Sequence, residues 1–230
     1  MATVKIFVFD KDVERDELVN MIKKSSDFDV WCSKFNRYEI VLKYEYFGDV
    51  ASELKKVFED NVEEILMKVG KTKVVKTIVC YINTYLKTLE IYSGKEKIVE
   101  EILGKLESLT GLKFKPLTLS SSSLVKLYKQ YGIELRQAIF KNSEGFFYHI
   151  LKGRNLEKNE NYLKYLSNFS DSLRVITFKP KIKYLNGSKY FVTFNADKGT
   201  LKYVPPESFK WRPRFELRQI AFLIRHLSLN

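Results

Sequence analysis

The sequence predicts an α+β fold, with an N-terminal α/β part followed by a basic antiparallel meander and a terminal helix. Three observations predict this class. Runs of β-branched and aromatic residues alternate with amphipathic stretches through residues 1–142. A stretch rich in lysine and aromatic residues, which contains an Asn-Gly pair, follows them. A further amphipathic stretch lies beyond it, at residues 215–227.

Each element of the N-terminal part follows from a local signal. Acidic residues at the start and lysines at the end of residues 12–24 suit a helix dipole. An apolar stripe along residues 49–69 predicts a long helix that Gly70 ends, and Gly111 ends a second helix in the same way. The expected strands are 4–9, 27–32, 37–46, 73–82, 86–92, 112–119 and 133–141, and the expected helices are 12–24, 49–69, 95–109 and 124–131. Residues 37–60 and 85–108 share the order strand, glycine, acidic helix, which suggests duplicated strand-helix-strand units.

The net charge of +12 is distributed unevenly along the chain. Residues 1–110 carry 18 Lys and Arg against 20 Asp and Glu, whereas residues 111–230 carry 22 against 8. All of the excess positive charge therefore lies in the second half. A localised basic region is typical of proteins that bind polyanions. The alternative is a solvated cationic surface without a partner, because few glutamines beside many Lys and Glu are typical of thermophilic proteins.

The polar stretch of residues 142–145, which ends in glycine, is the natural boundary between two domains. This boundary gives an α/β domain over 1–142 and a basic domain over 143–230. The second domain is expected to contain a short helix at 160–167, an antiparallel meander over 178–204 and the terminal helix at 215–227.

The meander contains the clearest hairpin signal in the chain, the pair Asn186-Gly187 between two alternating apolar runs. A two-residue turn there would pair Lys183 with Tyr190, and would bring Lys179 and Lys181 onto the face of Phe194. Such a ribbon would be basic and aromatic on one face and apolar on the other. Lysines neutralise phosphates, exposed rings stack on bases, and a two-stranded ribbon fits the major groove of DNA. The alternative is a meander whose lysine stems merely cover the rings.

A second basic and aromatic cluster, WRPR at residues 211–214, follows the meander directly. Arginine binds phosphate with two hydrogen bonds and stacks on bases, so this cluster is a candidate contact site. The alternative is that its arginines pair with nearby glutamates while Trp211 is buried. The candidate nucleic-acid-binding residues are Lys179, Lys181, Lys183, Tyr190, Phe194, Lys198, Lys202, Lys210, Trp211, Arg212, Arg214 and Arg218.

No catalytic or cofactor-binding motif stands out, so no cofactor and no catalytic residue is expected. His149 and His226 lack the spacing of metal ligands. Asp10, Asp12 and Asp16 are interpreted as the acidic start of a helix rather than as a magnesium site.

The apolar stretches are far shorter than the ~20 residues of a membrane span, and residues 1–12 lack the features of a signal peptide. An intracellular protein, cytoplasmic or chromosome-associated, is therefore expected, and Cys32 and Cys80 are expected to be free thiols.

These observations favour a non-catalytic nucleic-acid-binding protein, with duplex DNA favoured over RNA. The N-terminal part would then serve folding, homodimerisation or contact with a protein partner. Two alternatives stay open at this point. One is a protein-interaction adaptor whose basic half binds an acidic protein, and the other is a metal-dependent nuclease that uses the N-terminal carboxylates.

Overall fold

The computed structural model describes residues 2–49, 73–141, 148–182, 190–204 and 214–228. Helices and strands are both present, and the strands form one eleven-stranded antiparallel sheet, so the α+β class is confirmed. The strands are β1 (Ala2–Val8), β2 (Phe28–Cys32), β3 (Glu39–Asp49), β4 (Lys73–Asn83), β5 (Thr88–Ile91), β6 (Lys115–Pro116), β7 (Gly132–Lys141), β8 (Tyr148–Lys152), β9 (Leu173–Pro180), β10 (Phe191–Asn195) and β11 (Thr200–Val204).

Local capping signals explain where several helices begin and end. The side chain of Ser120 caps one helix by accepting the backbone N–H of Ser123 at 3.1 Å, and Asn159 caps another in the same way. Gly111 ends a third with φ of 68°, a conformation that glycine adopts without steric cost. The helices of the described residues are α1 (Arg15–Ile22), α2 (Glu96–Thr110), α3 (Ser121–Tyr131), α4 (Glu160–Asn168) and α5 (Arg214–Ser228). None of these helices is long and apolar enough to cross a membrane. The helix expected at 49–69 does not begin at Asp49, which ends β3, and its residues 50–69 lie outside the described residues.

Strand β1 joins the two ends of the chain into a single sheet. The strand order is β2-β3-β4-β5-β1-β11-β10-β9-β7-β8. β1 pairs with β5 on one side, and on its other side it pairs first with β11 and then with the short β6. The C-terminal meander is therefore hydrogen-bonded directly to the N-terminal strand.

Two crossovers in this sheet share one topology. β5 and β6 both run antiparallel to β1, and α2 connects them with β1 between. β8 and β9 both run antiparallel to β7, and α4 connects them with β7 between. Each is a split β-α-β unit. The duplication suspected at 37–60 and 85–108 includes residues outside the described ranges and stays a prediction.

Two hydrophobic clusters lie on opposite faces of the sheet. The first packs α1 and α2 against β1–β5, and the second packs α3, α4 and α5 against β1 and β7–β11. Strand β1 contributes to both clusters, since the neighbouring side chains of Ile6 and Phe7 point to opposite faces. Helices α1 and α2 consequently cover one face of the first half of the sheet, and α3, α4 and α5 cover the other face of the second half. Helix α5 also reaches over the first half on that other face, where Arg225 contacts Thr88 and Glu90.

Apart from β1, which contributes to both clusters, the buried residues of the two clusters divide the chain between Phe114 and Leu117. Strand β7, which the sequence placed in the first domain, packs Leu135, Ala138 and Phe140 into the second cluster. The boundary expected at 142–145 lies outside the described residues, and the division into two domains stays a prediction.

The register expected for the lysine-rich hairpin is wrong. β9 ends at Pro180 and β10 begins at Phe191, and the pairs are Val192 with Phe178 and Phe194 with Ile176. This register differs by three residues from the expected one, and an odd shift moves the lysines to the face opposite the rings. The physical reason is burial, because this register places apolar residues of both strands in the core. The Asn186-Gly187 pair lies outside the described residues.

Candidate nucleic-acid interface

The sheet formed by β11, β10, β9, β7 and β8 has one face on which no described helix packs, because α3, α4 and α5 all lie on the other face. We call it the open face. Its side chains follow from the strand pairing, since paired residues share a face. They are Thr200, Lys202, Phe191, Thr193, Asn195, Val175, Thr177, Lys179, Glu134, Arg136, Gln137, Ile139, Lys141, Tyr148, Ile150 and Lys152.

A continuous polar row crosses the open face from one side to the other. Lys202 of β11 pairs with Thr193, Thr193 with Thr177, Thr177 with Gln137, and Gln137 with Lys152 of β8. The two threonine hydroxyls are hydrogen-bonded at 2.8 Å, and Thr177 Oγ1 lies 3.5 Å from Gln137 Oε1. Neighbouring strands lie about 4.8 Å apart, so the row separates its two terminal lysines by roughly 19 Å at the backbone.

The open face is strongly cationic. Lys141, Lys152, Lys179 and Lys202 form no ion pair within the described part of the chain. The carboxylate of Glu134 is the only one among the described side chains of this face, and Arg136 Nε holds it at 2.6 Å. The described side chains of this face therefore include five cations and one anion.

Two aromatic side chains lie among these cations. The guanidinium of Arg136 lies over the ring of Phe191, 4.9 Å from its centroid. Arg136 and Gln137 both lie on this face because the pairing of β7 with β9 is irregular between Leu135 and Gln137. On the edge strand β8, Tyr148 is 60% exposed. Both rings therefore offer apolar surface beside a positive charge.

Of the residues singled out in the sequence, Lys179 and Lys202 lie on the open face. Lys198 is exposed in the turn between β10 and β11. Lys181 is exposed just beyond β9, where its Nζ donates a hydrogen bond to the carbonyl of Gln130 at 2.7 Å. The structure thus places two of the expected lysines, Lys179 and Lys202, together on the open face.

The aromatic members of the expected set are not exposed. Tyr190 is 1% exposed and Phe194 is 0% exposed, and both pack on the helix-covered side of the sheet. The ring of Tyr190 lies 5.1 Å from that of Tyr203. The expectation that these two rings face solvent is wrong, because the register buries them with Val192 in the second core.

Arg218 lies on α5 over the first half of the sheet, where it forms an ion pair with Glu39 and covers the ring of Tyr81 at 3.7 Å. Burial alone would lower the pKa of Arg218, but the charges of Glu90 and Glu39 outweigh that effect and raise it. Its guanidinium is thus engaged within the protein. Lys183, Lys210, Trp211 and Arg212 lie outside the described residues, as does the side chain of Arg214.

Sequence reasoning missed Arg136, Lys141, Tyr148, Lys152 and Phe191. Strand β8 was not expected at all, and β7 was assigned to the other domain. A partial signal was present in β7, where Leu135 alternates with Glu134 and Arg136, although the pair Arg136-Gln137 and the apolar Ile139 interrupt the pattern further along. That alternation indicates a strand with one buried face and one polar face.

The opposite half of the sheet has a different electrostatic character. On the face opposite α1 and α2, Lys43 forms ion pairs with Glu45 at 2.8 Å and Asp29 at 3.8 Å. The hydrogen bond and charge of Glu45 raise the pKa of Lys43. The cation there is therefore neutralised by neighbours, whereas four lysines of the open face are not.

Two of the three N-terminal aspartates form ion pairs with neighbouring cations. Asp12 pairs with Lys87 at 2.7 Å, and Asp16 pairs with Arg15 at 3.0 Å. Within the described ranges, no three His, Cys, Asp or Glu side chains come close enough to hold a metal ion. The geometry around these residues accordingly offers no support for a nuclease centre.

Comparison with known proteins gives no further guide to this face. No protein-family model matches the sequence, and no curated protein matches it. The geometry and charge of the open face are consequently the features that indicate its function.

Proposed function

We propose that the protein binds single-stranded nucleic acid, RNA or DNA, across the open face and that this role is not catalytic. The observation that carries the proposal is the polar row from Lys202 to Lys152 on a helix-free face. Lys179 and Lys141 flank this row without ion-pair partners in the described residues.

The chemistry of the face suits a polynucleotide. Unpaired ammonium groups bind phosphates and release the counterions condensed on the strand. The hydroxyl of Thr193 and the amide of Gln137 are partly exposed and can both donate hydrogen bonds to bases and sugars and accept hydrogen bonds from them. The exposed ring of Tyr148 and the cation-covered ring of Phe191 offer stacking surfaces for unpaired bases.

A single strand fits this surface better than a duplex. The preference for duplex DNA in the sequence argument depended on a ribbon that carried lysines and rings on the same face. The observed register separates them. A sheet face with cations and partly exposed rings is the kind of surface that reads unstacked bases, whereas a major groove admits a helix or a narrow ribbon.

The proposal is tested by fluorescence anisotropy with labelled 20-mers of single-stranded DNA, single-stranded RNA and duplex DNA over a range of KCl concentrations. If four lysines each contact a phosphate, the logarithm of the association constant K should fall with log[salt] with a slope of about −3 on a single strand. We expect both single strands to bind more tightly than the duplex. Comparison of the affinities for single-stranded DNA and single-stranded RNA shows which of the two the protein prefers.

Poly-glutamate of equal charge is the matched control for the adaptor alternative. Equal affinity for poly-glutamate and for the oligonucleotides would show a surface that recognises charge alone and would overturn the proposal. Tighter binding to the duplex than to either single strand would overturn the proposal that the open face binds unpaired nucleic acid.

A further inference from the structure

A pocket of about 640 Å³ opens where β7 ends and β9 begins. Its volume lies within the range typical of small-molecule sites. It is lined by Lys141, Asn168, Phe169, Ser170, Asp171, Ser172, Arg174 and Asp197. Lys141 also belongs to the open face, whereas Phe169 stacks on Tyr165 and Arg174 approaches Ser121 on the helix-covered side. The pocket therefore lies at the end of the sheet and meets the open face at Lys141.

An aromatic ladder presents a ring at this pocket. The ring of Phe140 in the core lies 5.6 Å from that of Tyr165, which stacks on Phe169 at 5.7 Å with an interplanar angle of 30°. Phe169 is 47% exposed. Its ring is therefore braced from behind while part of its surface faces solvent, so ordering it against a ligand costs little entropy.

The turn that carries this ring is also fixed. The backbone N–H and the hydroxyl of Ser172 both donate hydrogen bonds to the carbonyl of Phe169, at 3.0 and 2.7 Å. The backbone N–H of Lys141 donates to the carbonyl of Ser172 at 2.8 Å, which ties the turn to β7. The pocket is thus formed before any ligand enters.

The polar groups of the pocket divide into an unpaired set and a paired set. The exposed carboxylate of Asp171 and the ammonium of Lys141 have no ion-pair partner within the described residues. In contrast, Arg174 Nε lies 3.4 Å from Asp197, and its Nη1 donates to the carbonyl of Leu173 at 3.1 Å. An acceptor and a cation are accordingly left available beside an exposed ring.

We propose that this pocket takes one base of the bound strand, stacked on Phe169 and read by Asp171, with a neighbouring phosphate on Lys141. The inference rests on the proposed function. A carboxylate only accepts hydrogen bonds, so it selects a base edge that carries donors. Guanine presents two adjacent N–H donors on its Watson–Crick edge, whereas uracil and thymine present one donor between two carbonyls. The pocket therefore prefers guanine.

The test uses the full chain and three labelled 12-mers: oligouridine, the same strand with one central guanine, and the same strand with one central abasic site. Anisotropy should show the guanine strand binding at least about 5-fold more tightly than the abasic strand. This factor is the smallest gain in affinity expected when one base stacks on an aromatic ring. Phe169→Leu should weaken binding of the guanine strand by about 5-fold to 100-fold, while Phe169→Tyr should bind it like the wild type. Asp171→Asn should remove the preference for guanine over uracil.

Leu163→Ala is the matched control, because Leu163 is 50% exposed on α4 but does not line the pocket. It should leave all three affinities unchanged, and thermal melting verifies that each variant is folded. Equal binding of the guanine and abasic strands, or an unchanged Phe169→Leu variant, would overturn the pocket and leave the proposed function standing. Absence of binding to every strand would overturn both.

Discussion

Replacing Arg225 by Met should destabilise the protein strongly. Arg225 is buried, its Nη1 lies 2.9 Å from Glu90 Oε1, and the side chain of Glu90 is 0% exposed. Removing one partner leaves a buried carboxylate with Arg218 Nε at 3.9 Å as its nearest described cation. Breaking a buried ion pair from one side costs about 3–5 kcal/mol, and Met retains most of the apolar stem, so we expect a loss in that range at pH 7.

The loss should depend on pH in a defined direction. Burial raises the pKa of Glu90, and Arg225 opposes that shift, so the variant should have a still higher Glu90 pKa. A carboxyl with a raised folded pKa contributes stability below its unfolded pKa, near 4.3, and loses it as pH rises through the folded value. The difference between wild type and variant should therefore be large at pH 7 and shrink towards pH 4.

Urea unfolding at both pH values measures this difference. The double variant Glu90→Gln with Arg225→Met should recover much of the loss, since it removes the unpaired charge. Lys87→Met is a matched control at a surface ion pair of 2.7 Å, for which we expect less than about 1 kcal/mol. A loss below about 1 kcal/mol for Arg225→Met at pH 7, or an equal loss at both pH values, would refute the reasoning.

Two further predictions concern the backbone and the thiols. Gly199→Ala should destabilise the protein by more than about 1 kcal/mol, because φ is +55° there and a Cβ would lie 2.4 Å from the carbonyl oxygen of Ile6. Gly104→Ala, in helix α2 with nothing within 4 Å of its Cβ, should instead stabilise it by about 0.5–1 kcal/mol, and chemical denaturation compares the two. Burial raises the pKa of the Cys80 thiol and shields it from reagents. A thiol reagent should therefore label Cys32 in the native protein and Cys80 only after unfolding. Rapid labelling of Cys80 in the native protein would contradict this prediction.

Local patterns were sufficient to predict the class of the fold and the described helices. The amphipathic stripes and the glycine at position 111 are properties of neighbouring residues, and α2 ends where that glycine predicts. The pairing of β1 with β11 depends on residues at opposite ends of the chain, which no local pattern encodes. The continuity of the sheet could therefore not be derived from the sequence.

The candidate site illustrates the same limit at single residues. Alternation correctly grouped Tyr190, Val192 and Phe194 on one side of their strand. It could not show which face of the sheet the helices cover, nor how far β9 and β10 are shifted against each other. The lysines were consequently placed with the buried rings, although the second half of the chain was correctly identified as the basic one.

The most direct test of the open face is the salt dependence of binding after its lysines are removed. The variant changes Lys141, Lys152, Lys179 and Lys202 to Gln, and the matched control changes the exposed Lys11, Lys23, Lys24 and Lys34 of the first half. Both variants lose the same charge, and thermal melts verify their folding. Loss of four phosphate contacts should reduce the slope of log K against log[salt] for a single strand by about 3 in the open-face variant and leave it nearly unchanged in the control. An unchanged slope in a folded open-face variant, or an equal reduction in both variants, would contradict the proposed interface.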